Sequence, residues 1–252
     1  MQWLRGTGGV VAAALIAGCG GGTSTDGAAG TGATGAESVT VYAAASLREV
    51  LPKIDSVARY SFAGSDELAT QIREGAPADV YAAASPKYPQ ALFADGIVAK
   101  PVTFASNRLV LIVPAGNPAG IQQVQDVGRK GVKLVVAGPG VPVGGYTRQV
   151  LGELALSGAL DNVVSNEKDV KGVVGKVTLG EADAGFVYAT DAAPAGDDVR
   201  SIEIPSDAQP PIEYQVAVVA AGAHKDAAAS FVNALTGPSG RAALEAAGFA
   251  LP

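Results

Sequence analysis

The chain has 252 residues and a formal net charge of −6, and 48% of its residues are hydrophobic, which is enough for one large or two modest domains. No basic run is present, so we exclude a nucleic-acid-binding function. The single cysteine and the single histidine exclude a disulfide framework, and they argue against a Cys/His metal site and against a Ser–His or Cys–His catalytic pair.

The first residues have the pattern of a targeting segment. Arg5 is the only charged side chain before Cys19, and residues 10–17 are apolar. This pattern predicts a signal peptide over residues 1–18, because the apolar stretch is too short to span a membrane. The four residues that end at Cys19 resemble a bacterial lipobox, in which cleavage precedes the cysteine and lipid is attached to its thiol. The alternative is an ordinary signal peptide with a chance cysteine.

The next segment, residues 19–36, is dominated by glycine, alanine and threonine. Such a composition cannot bury a core, so it predicts a flexible tether. Together with lipidation at Cys19, it predicts a folded body on the outer side of a membrane, held there by a lipid anchor.

The folded body begins with a strand that runs into a helix. Val39 and Val41 alternate with polar residues, and small alanines lead to Ser46. Ser46 and Glu49 fit the capping-box spacing, so we predict that a helix begins at Ser46. A helix N-terminus offers free backbone N–H groups and a positive dipole end to an anion. The alternative is that Ser46 merely caps the helix.

The chain repeats this construction. A predicted strand over 58–62 leads to Ser65 and a helix over 66–72, and residues 79–85 repeat the letters VYAAAS of the first junction. We do not expect Ser85 to contact a ligand. A glycine-rich loop over 138–145 precedes a predicted helix and can cradle an anion, but it lacks the Lys-Ser/Thr of a Walker A loop.

Strands and helices alternate through the rest of the chain. This alternation predicts a doubly wound, mostly parallel α/β architecture, in which ligands bind beyond the carboxyl ends of the strands. Tyr188 ends one such strand. The further predicted strands cover 107–114, 133–137, 162–165, 184–188, 201–204 and 212–219, and the further predicted helices cover 146–156, 167–179, 226–235 and 239–247.

A set of motifs occurs along this body. They are AAASL (43–47), FAGSDELATQI (62–72), GAPADVYAAA (75–84), NRLVLIV (107–113), VPVGGY (141–146), DVKGVVGKV (169–177), GEADAGFVYATDA (180–192) and EYQVAVV (213–219). Their order resembles that of the molybdate-binding proteins of bacterial ABC importers, over nearly everything from Val39 onward.

The resemblance implies a two-lobed, type II periplasmic-binding-protein-like fold. Each lobe is a mostly parallel sheet flanked by helices, and the ligand cleft lies between the lobes. The expected divisions are lobe 1 over 37–113 and 213–252, and lobe 2 over 114–212.

The resemblance also implies a set of neutral donors to an oxyanion. These are the hydroxyl and N–H groups of Ser46 and Ser65, the backbone N–H groups of Val143 and Val170, and the Tyr188 hydroxyl. Family proteins often carry alanine at the position of Val143, whose methyl groups would narrow the pocket. The segment from residue 47 to residue 60 is shorter than expected for the family, which affects the first helix and second strand.

The function implied is that of an extracytoplasmic receptor that binds molybdate and tungstate and delivers them to an importer. Molybdenum would be held only as the oxyanion, with no direct cation ligand, no cofactor and no catalysis. The implied partners are the permease and ATPase subunits of an importer, and the chain is expected to be a monomer. Donors without net charge suit a fully deprotonated dianion, and the size of the pocket would reject sulfate.

Other functions stay open on the sequence alone. One is a receptor for sulfate or thiosulfate, and another is a sensory or adhesive lipoprotein. An iron-binding relative is disfavoured because adjacent tyrosines are missing. A membrane-anchored serine hydrolase would use Ser46 or Ser65, but neither lies in Gly-x-Ser-x-Gly, and we expect His224 on the surface.

Overall fold

The computed structural model describes residues 38–252, which lie within one compact unit. The predicted signal peptide, the tether and the lipidation site at Cys19 lie outside the described residues. Within 38–252, no helix is both long enough and apolar enough to cross a membrane.

Strands and helices alternate along the described residues. The strands are β1 (Thr40–Ala44), β2 (Arg59–Ala63), β3 (Val80–Ala83), β4 (Val102–Asn107), β5 (Leu109–Pro114), β6 (Leu134–Ala137), β7 (Val163–Glu167), β8 (Ala184–Tyr188), β9 (Val199–Glu203) and β10 (Ile212–Val218). The α-helices are α1 (Leu51–Ile54), α2 (Ser65–Arg73), α3 (Lys87–Ala94), α4 (Pro142–Glu153), α5 (Val170–Thr178), α6 (Ala189–Ala192), α7 (Lys225–Thr236) and α8 (Pro238–Ala246). Short 3₁₀ turns cover Ala45–Leu47, Val124–Gly128, Ser157–Asn162, Ala193–Asp198 and Ser206–Ala208.

The strands form two five-stranded sheets with the same plan. The strand order is β2-β1-β3-β10-β4 in the first sheet and β7-β6-β8-β5-β9 in the second. The first three strands of each order are parallel, and the fourth, β10 or β5, is antiparallel to both of its neighbours. The expected two-lobed, mostly parallel α/β fold is therefore confirmed. We call each sheet with its flanking helices a lobe.

Two crossovers join the lobes, and one differs from its predicted position. The sequence assigned residues up to 113 to lobe 1, but β5 pairs with β8 and β9 and so belongs to the second sheet. The chain changes sheet at Arg108, and it returns between β9 and β10. Residues 109–113 are apolar and buried throughout, so their pattern does not reveal which sheet they join.

Two predicted helix starts are also displaced. Ser46 lies in a 3₁₀ turn with no side-chain cap, so the predicted capping box is wrong. Its hydroxyl instead accepts a hydrogen bond from Tyr214, a partner that local spacing cannot reveal. Helix α4 begins at Pro142, inside the predicted glycine-rich loop, because proline is suited to the first helical position.

The short segment before β2 still forms a defined turn. Helix α1 is only four residues long, and the Tyr60 hydroxyl shares its proton between the carbonyl oxygens of Asp55, at 2.7 Å, and Leu51, at 3.0 Å. Strand β2 pairs with β1 over its full length, so the edge of the first sheet is retained.

Close packing fixes the helices on the second sheet. Val173 and Val177 of α5 are buried, and Gly185 of β8 lies beneath them. A Cβ at Gly185 would lie 2.7 Å from Val173 Cγ1, so only glycine permits this approach. Helix α5 is thereby held with its first turn at the carboxyl ends of the strands.

Candidate functional site

The five residues predicted as ligand donors line one small cavity between the lobes, which is partly open to solvent. All five are buried. The first lobe contributes Ala44, Ala45, Ser46, Ala63, Gly64, Ser65 and Ala84, and the second contributes Val141, Pro142, Val143, Asp169, Val170 and Tyr188. Ser85 is not among the described residues that line this cavity.

Three α-helices begin at the cavity wall. Ser65 is the first residue of α2, Val143 is the second residue of α4, and Val170 is the first residue of α5. The first N–H groups of a helix have no intrahelical acceptor, and the helix dipole makes that end positive. Three such ends around one cavity create a positive potential without a cationic side chain, which favours an anion.

Local sequence explains how α4 presents its backbone. Pro142 has no N–H, so the first donor of this helix is the N–H of Val143. Gly144 lets the helix lie against the end of β6, since a Cβ there would be 2.1 Å from the carbonyl oxygen of Gly138. In the motif VPVGGY, the proline therefore lacks an N–H, the valine after it presents the first N–H to the cavity, and the first glycine lets the helix lie close to the strand end.

Helix α5 is capped in a way that spares its first donor. The Asp169 side chain accepts a hydrogen bond from the N–H of Gly172, at 3.0 Å. The N–H of Val170, which precedes that position, is left for another acceptor. Asp169 is the one charged residue that lines the cavity in the described part of the chain, and no Lys or Arg there does so.

Tyr188 contributes a buried hydroxyl to the cavity wall. Its ring is 1% exposed and packs edge-on against Tyr214, with ring centroids 5.8 Å apart. Its hydroxyl nevertheless has no hydrogen-bond partner among residues 38–252. Burial, and then the neighbouring Tyr214, raise the pKa of Tyr188 well above its ordinary value. Tyr188 is therefore a neutral O–H donor at physiological pH.

Both serine hydroxyls already accept a hydrogen bond from the protein. The Tyr214 hydroxyl donates to Ser46 Oγ at 3.0 Å, and the backbone N–H of Ala84 donates to Ser65 Oγ at 3.1 Å. The Tyr81 hydroxyl also donates to the carbonyl oxygen of Ser65, at 2.6 Å. Sequence reasoning missed Tyr214, because its place in β10 indicates only a buried strand residue.

The lobes touch around the cavity. Gly64 lies so close to the other lobe that a Cβ would come within 2.6 Å of the carbonyl oxygen of Lys168. The Tyr88 hydroxyl of α3 donates to the carbonyl oxygen of Gly140 in the opposite lobe. These contacts bring the donors of both lobes to the same cavity, in a closed arrangement.

An ion-pair cluster lies beside the first turn of α5. Lys171 Nζ is 3.0 Å from Asp191 Oδ1 and 3.8 Å from Glu49 Oε1, which belongs to the first lobe. Burial raises the pKa of Asp191 to about 6, and this rise is opposed by Lys171. Because two carboxylates flank Lys171, its charge is compensated locally.

His224 is not the surface residue that the sequence predicts. Its side chain is about three-quarters buried, and Nδ1 lies 2.9 Å from Asp79 Oδ2. Asp79 is 145 residues away in the chain, so the pairing has no local signal. His224 lines a different cavity from Ser46 and Ser65. Among residues 38–252, no group of three or more His, Cys, Asp or Glu side chains could hold a metal ion.

The fold and the site define a class. Two α/β lobes, joined by two crossovers and closed over a cavity of neutral donors, form a two-lobed solute-binding protein. The chain belongs to the family of bacterial extracellular solute-binding proteins, whose model matches residues 39–250. The resemblance stated from the motifs is thus confirmed, and this family is one of binding proteins rather than hydrolases.

Individual relatives agree with this assignment. The chain is 37% identical to the molybdate-binding protein ModA of Mycobacterium tuberculosis, over 100% of both chains. It is 28% identical to a putative ABC transporter substrate-binding lipoprotein, YvgL, of Bacillus subtilis, over 93% of both chains. Among solved structures, the periplasmic molybdate-binding protein of Azotobacter vinelandii is similar with a TM-score of 0.75 and 25% identity, over 85% of this chain and 99% of that one.

Proposed function

We propose that the protein is an extracytoplasmic receptor that binds molybdate, and also tungstate, and delivers it to an ABC importer. The observation that carries this proposal is the convergence of Ser46, Ser65, Val143, Val170 and Tyr188 on one cavity without a cationic side chain. Its relatives include proteins named for molybdate binding. The protein has no catalytic role and needs no cofactor.

The donor set suits a tetrahedral dianion. Each hydrogen bond to a charged group contributes roughly 1.5–3 kcal/mol net. Several such bonds, less the cost of desolvating the dianion and closing the lobes, leave about −8 to −11 kcal/mol, or micromolar to ~10 nM affinity. Molybdate offers only acceptors, and it would satisfy the Tyr188 hydroxyl, which otherwise has no partner among the described residues.

The two lobes have distinct parts in this proposal. Lobe 1, which we assign to residues 38–107 and 212–252, supplies Ser46 and Ser65. Lobe 2, which we assign to residues 109–203, supplies the other donors. Closure around the anion creates the surface that the permease subunits recognise, and the ATPase subunits drive uptake.

The location follows from the first residues of the chain. Cleavage before Cys19 and lipidation of its thiol would hold the monomeric receptor at the outer face of the cell membrane by the tether. A relative named as a lipoprotein supports this part of the proposal. Mass spectrometry of the protein isolated from membranes would test it, since an unmodified Cys19 contradicts the anchor.

Calorimetric titration tests the ligand. The chain from residue 37 onward contains every residue of the cavity, and it would be titrated with molybdate, tungstate, sulfate and phosphate. We expect submicromolar binding of the first two and weak or undetectable binding of the others. Tight sulfate binding with weak molybdate binding would keep the site but move the function to sulfur uptake. No binding of any of these anions would contradict the proposal.

A further inference from the structure

Ser46 is connected to a buried hydrogen-bond chain that lies behind the cavity. Tyr214 is fully buried in β10, and its hydroxyl lies 3.0 Å from Ser46 Oγ. Asn107, the last residue of β4, lies behind Tyr214, with 3.4 Å between Asn107 Nδ2 and the Tyr214 hydroxyl. Neither residue lines the cavity, but Tyr214 contacts two residues that do, Ser46 through its hydroxyl and Tyr188 through its ring.

The orientation of the Asn107 amide is fixed from one side. The backbone N–H of Arg108 donates to Asn107 Oδ1 at 2.9 Å, so this oxygen is identified as the acceptor. The amide nitrogen must then face the other way, where it donates to Thr190 Oγ1 at 2.8 Å and to the Tyr214 oxygen. Asn107 therefore presents a proton, rather than a lone pair, to Tyr214.

This orientation sets the direction of the next bonds. A hydroxyl has one proton and two acceptor lone pairs. Asn107 occupies one lone pair of the Tyr214 oxygen, and the Tyr214 hydroxyl donates its proton to Ser46 Oγ at 3.0 Å. Because Ser46 Oγ accepts that proton, the proton of Ser46 itself is free to point into the cavity.

We infer that Tyr214, oriented by Asn107, is a positioning residue that fixes the Ser46 hydroxyl as a donor to the anion and so selects against oxyanions that carry a proton. The inference rests on the proposed function and deepens it. Ser65 supports the same principle, since its Oγ accepts from the N–H of Ala84, a donor that cannot reverse. In both serines a donor from the protein occupies one lone pair of Oγ, and the hydroxyl proton is left for the anion.

Such a site discriminates by protonation state. Molybdate at neutral pH has four oxygen acceptors and no proton, so two fixed hydroxyl donors match it. Hydrogen arsenate is also tetrahedral, but its O–H group requires an acceptor, and Asp169, the one carboxylate among the described residues that line the cavity, already accepts the N–H of Gly172 through Oδ1. If the Ser46 hydroxyl could turn around, it would accept that proton, and the discrimination would be weakened.

The test compares two tyrosine-to-phenylalanine variants. Tyr214→Phe removes the donor to Ser46 Oγ and keeps the ring that packs against Phe104 and Phe249. Tyr81→Phe is the matched control, because its buried hydroxyl donates at 2.6 Å to the Ser65 carbonyl oxygen and directs no hydroxyl proton. The dissociation constant of molybdate would be measured by calorimetry, and that of hydrogen arsenate by competition, from pH 6 to pH 9.

We expect Tyr214→Phe to weaken molybdate binding about tenfold and to shift the arsenate-to-molybdate ratio of dissociation constants at least tenfold toward arsenate. Tyr81→Phe should leave that ratio within threefold of the wild-type value. A Tyr214→Phe ratio within threefold of wild type, or arsenate that still fails to compete, would overturn the inference. A wild-type protein that binds no oxyanion would instead contradict the proposed function.

A second variant covers the case in which Tyr214→Phe does not fold. Asn107→Asp places a carboxylate oxygen where the amide donor stands, so the Tyr214 proton turns away from Ser46. The same shift of the ratio toward arsenate is expected. An unchanged ratio in this variant would also overturn the inference.

Discussion

Gly64 and Lys168 face each other across the cleft so closely that a Cβ on the first would lie 2.6 Å from the carbonyl oxygen of the second. Gly64 precedes α2 in lobe 1, and Lys168 precedes α5 in lobe 2. The absence of a side chain at Gly64 thus sets how far the lobes can close.

Replacing Gly64 by alanine should prevent full closure. The backbone at Gly64 has φ −60° and ψ 140°, which alanine adopts freely, so the variant should fold. A backbone carbonyl cannot rotate away as a side chain can, so the lobes must stay apart. We expect at least tenfold weaker molybdate binding by calorimetry and loss of ligand-induced compaction in small-angle scattering.

The control for this variant is Gly152→Ala. Gly152 lies in α4, and a Cβ there meets nothing within 4 Å. Alanine should therefore leave affinity unchanged. If Gly64→Ala binds as tightly as this control, the lobes do not need the observed approach.

Removing the Tyr188 hydroxyl should weaken binding without destabilising the ligand-free protein. The hydroxyl is buried and has no hydrogen-bond partner among the described residues, so Tyr188→Phe loses no internal bond. We expect about tenfold weaker molybdate binding, and a free energy of unfolding that is unchanged or higher by about 1 kcal/mol. Denaturant titration and calorimetry measure the two quantities. Equal affinity in the variant would remove Tyr188 from the site.

The Val143 side chain should control selection by size. Val143→Ala keeps the backbone donor and removes two methyl groups from the cavity wall. Sulfate has shorter bonds than molybdate, so in a wider cavity the hydrogen bonds from the protein to sulfate are longer and weaker. We expect molybdate affinity within threefold of wild type and a sulfate-to-molybdate ratio of dissociation constants at least threefold larger.

Val150→Ala provides the comparison for this prediction. Val150 is buried in the same helix and is not among the described residues that line the cavity. The Val150→Ala variant should be less stable than wild type but should keep the wild-type sulfate-to-molybdate ratio of dissociation constants. A ratio that moves equally in both variants would assign the effect to general loosening of α4.

The buried Asp191 should make stability depend on pH between about 4 and 6. Its folded pKa is about 6, above its ordinary value of 3.8, so the native state binds more protons than the unfolded state in this window. Its contribution is fully present below pH 4 and is lost as pH rises through 6, by about 3 kcal/mol. In denaturant titrations from pH 4 to 7, the free energy of unfolding should decline less in Asp191→Asn than in the wild-type protein. Parallel wild-type and variant curves would contradict the shift.

The sequence predicts the donors better than their surroundings. The small residues before Ser46 and Ser65 and the strand that ends at Tyr188 are local patterns, and the order of motifs supplies Val143 and Val170. All five line one cavity in the structure, although their binding to molybdate stays a prediction. Strand β8 has the bounds that its apolar run predicts.

Long-range pairings are what the sequence does not reveal. The predicted capping role of Ser46 is wrong, because its hydroxyl accepts a hydrogen bond from Tyr214 instead. The predicted surface position of His224 is also wrong, because its ring is mostly buried against Asp79. Likewise, the apolar run of β5 predicts a strand but not its sheet. Each of these outcomes depends on which distant strand arrives alongside, which local spacing does not encode.

The hydrogen bond between Tyr214 and Ser46 joins residues 168 positions apart in the chain. The second sheet is complete once β9 has formed, but the first sheet lacks its antiparallel strand until β10 is added. During synthesis, the Ser46–Tyr214 hydrogen bond can therefore form only after β10 has been made. A chain that ends before Tyr214, through proteolysis or premature termination, would keep the five donor residues but would lack β10, the strand that orients Ser46. We therefore expect such a fragment not to bind the anion.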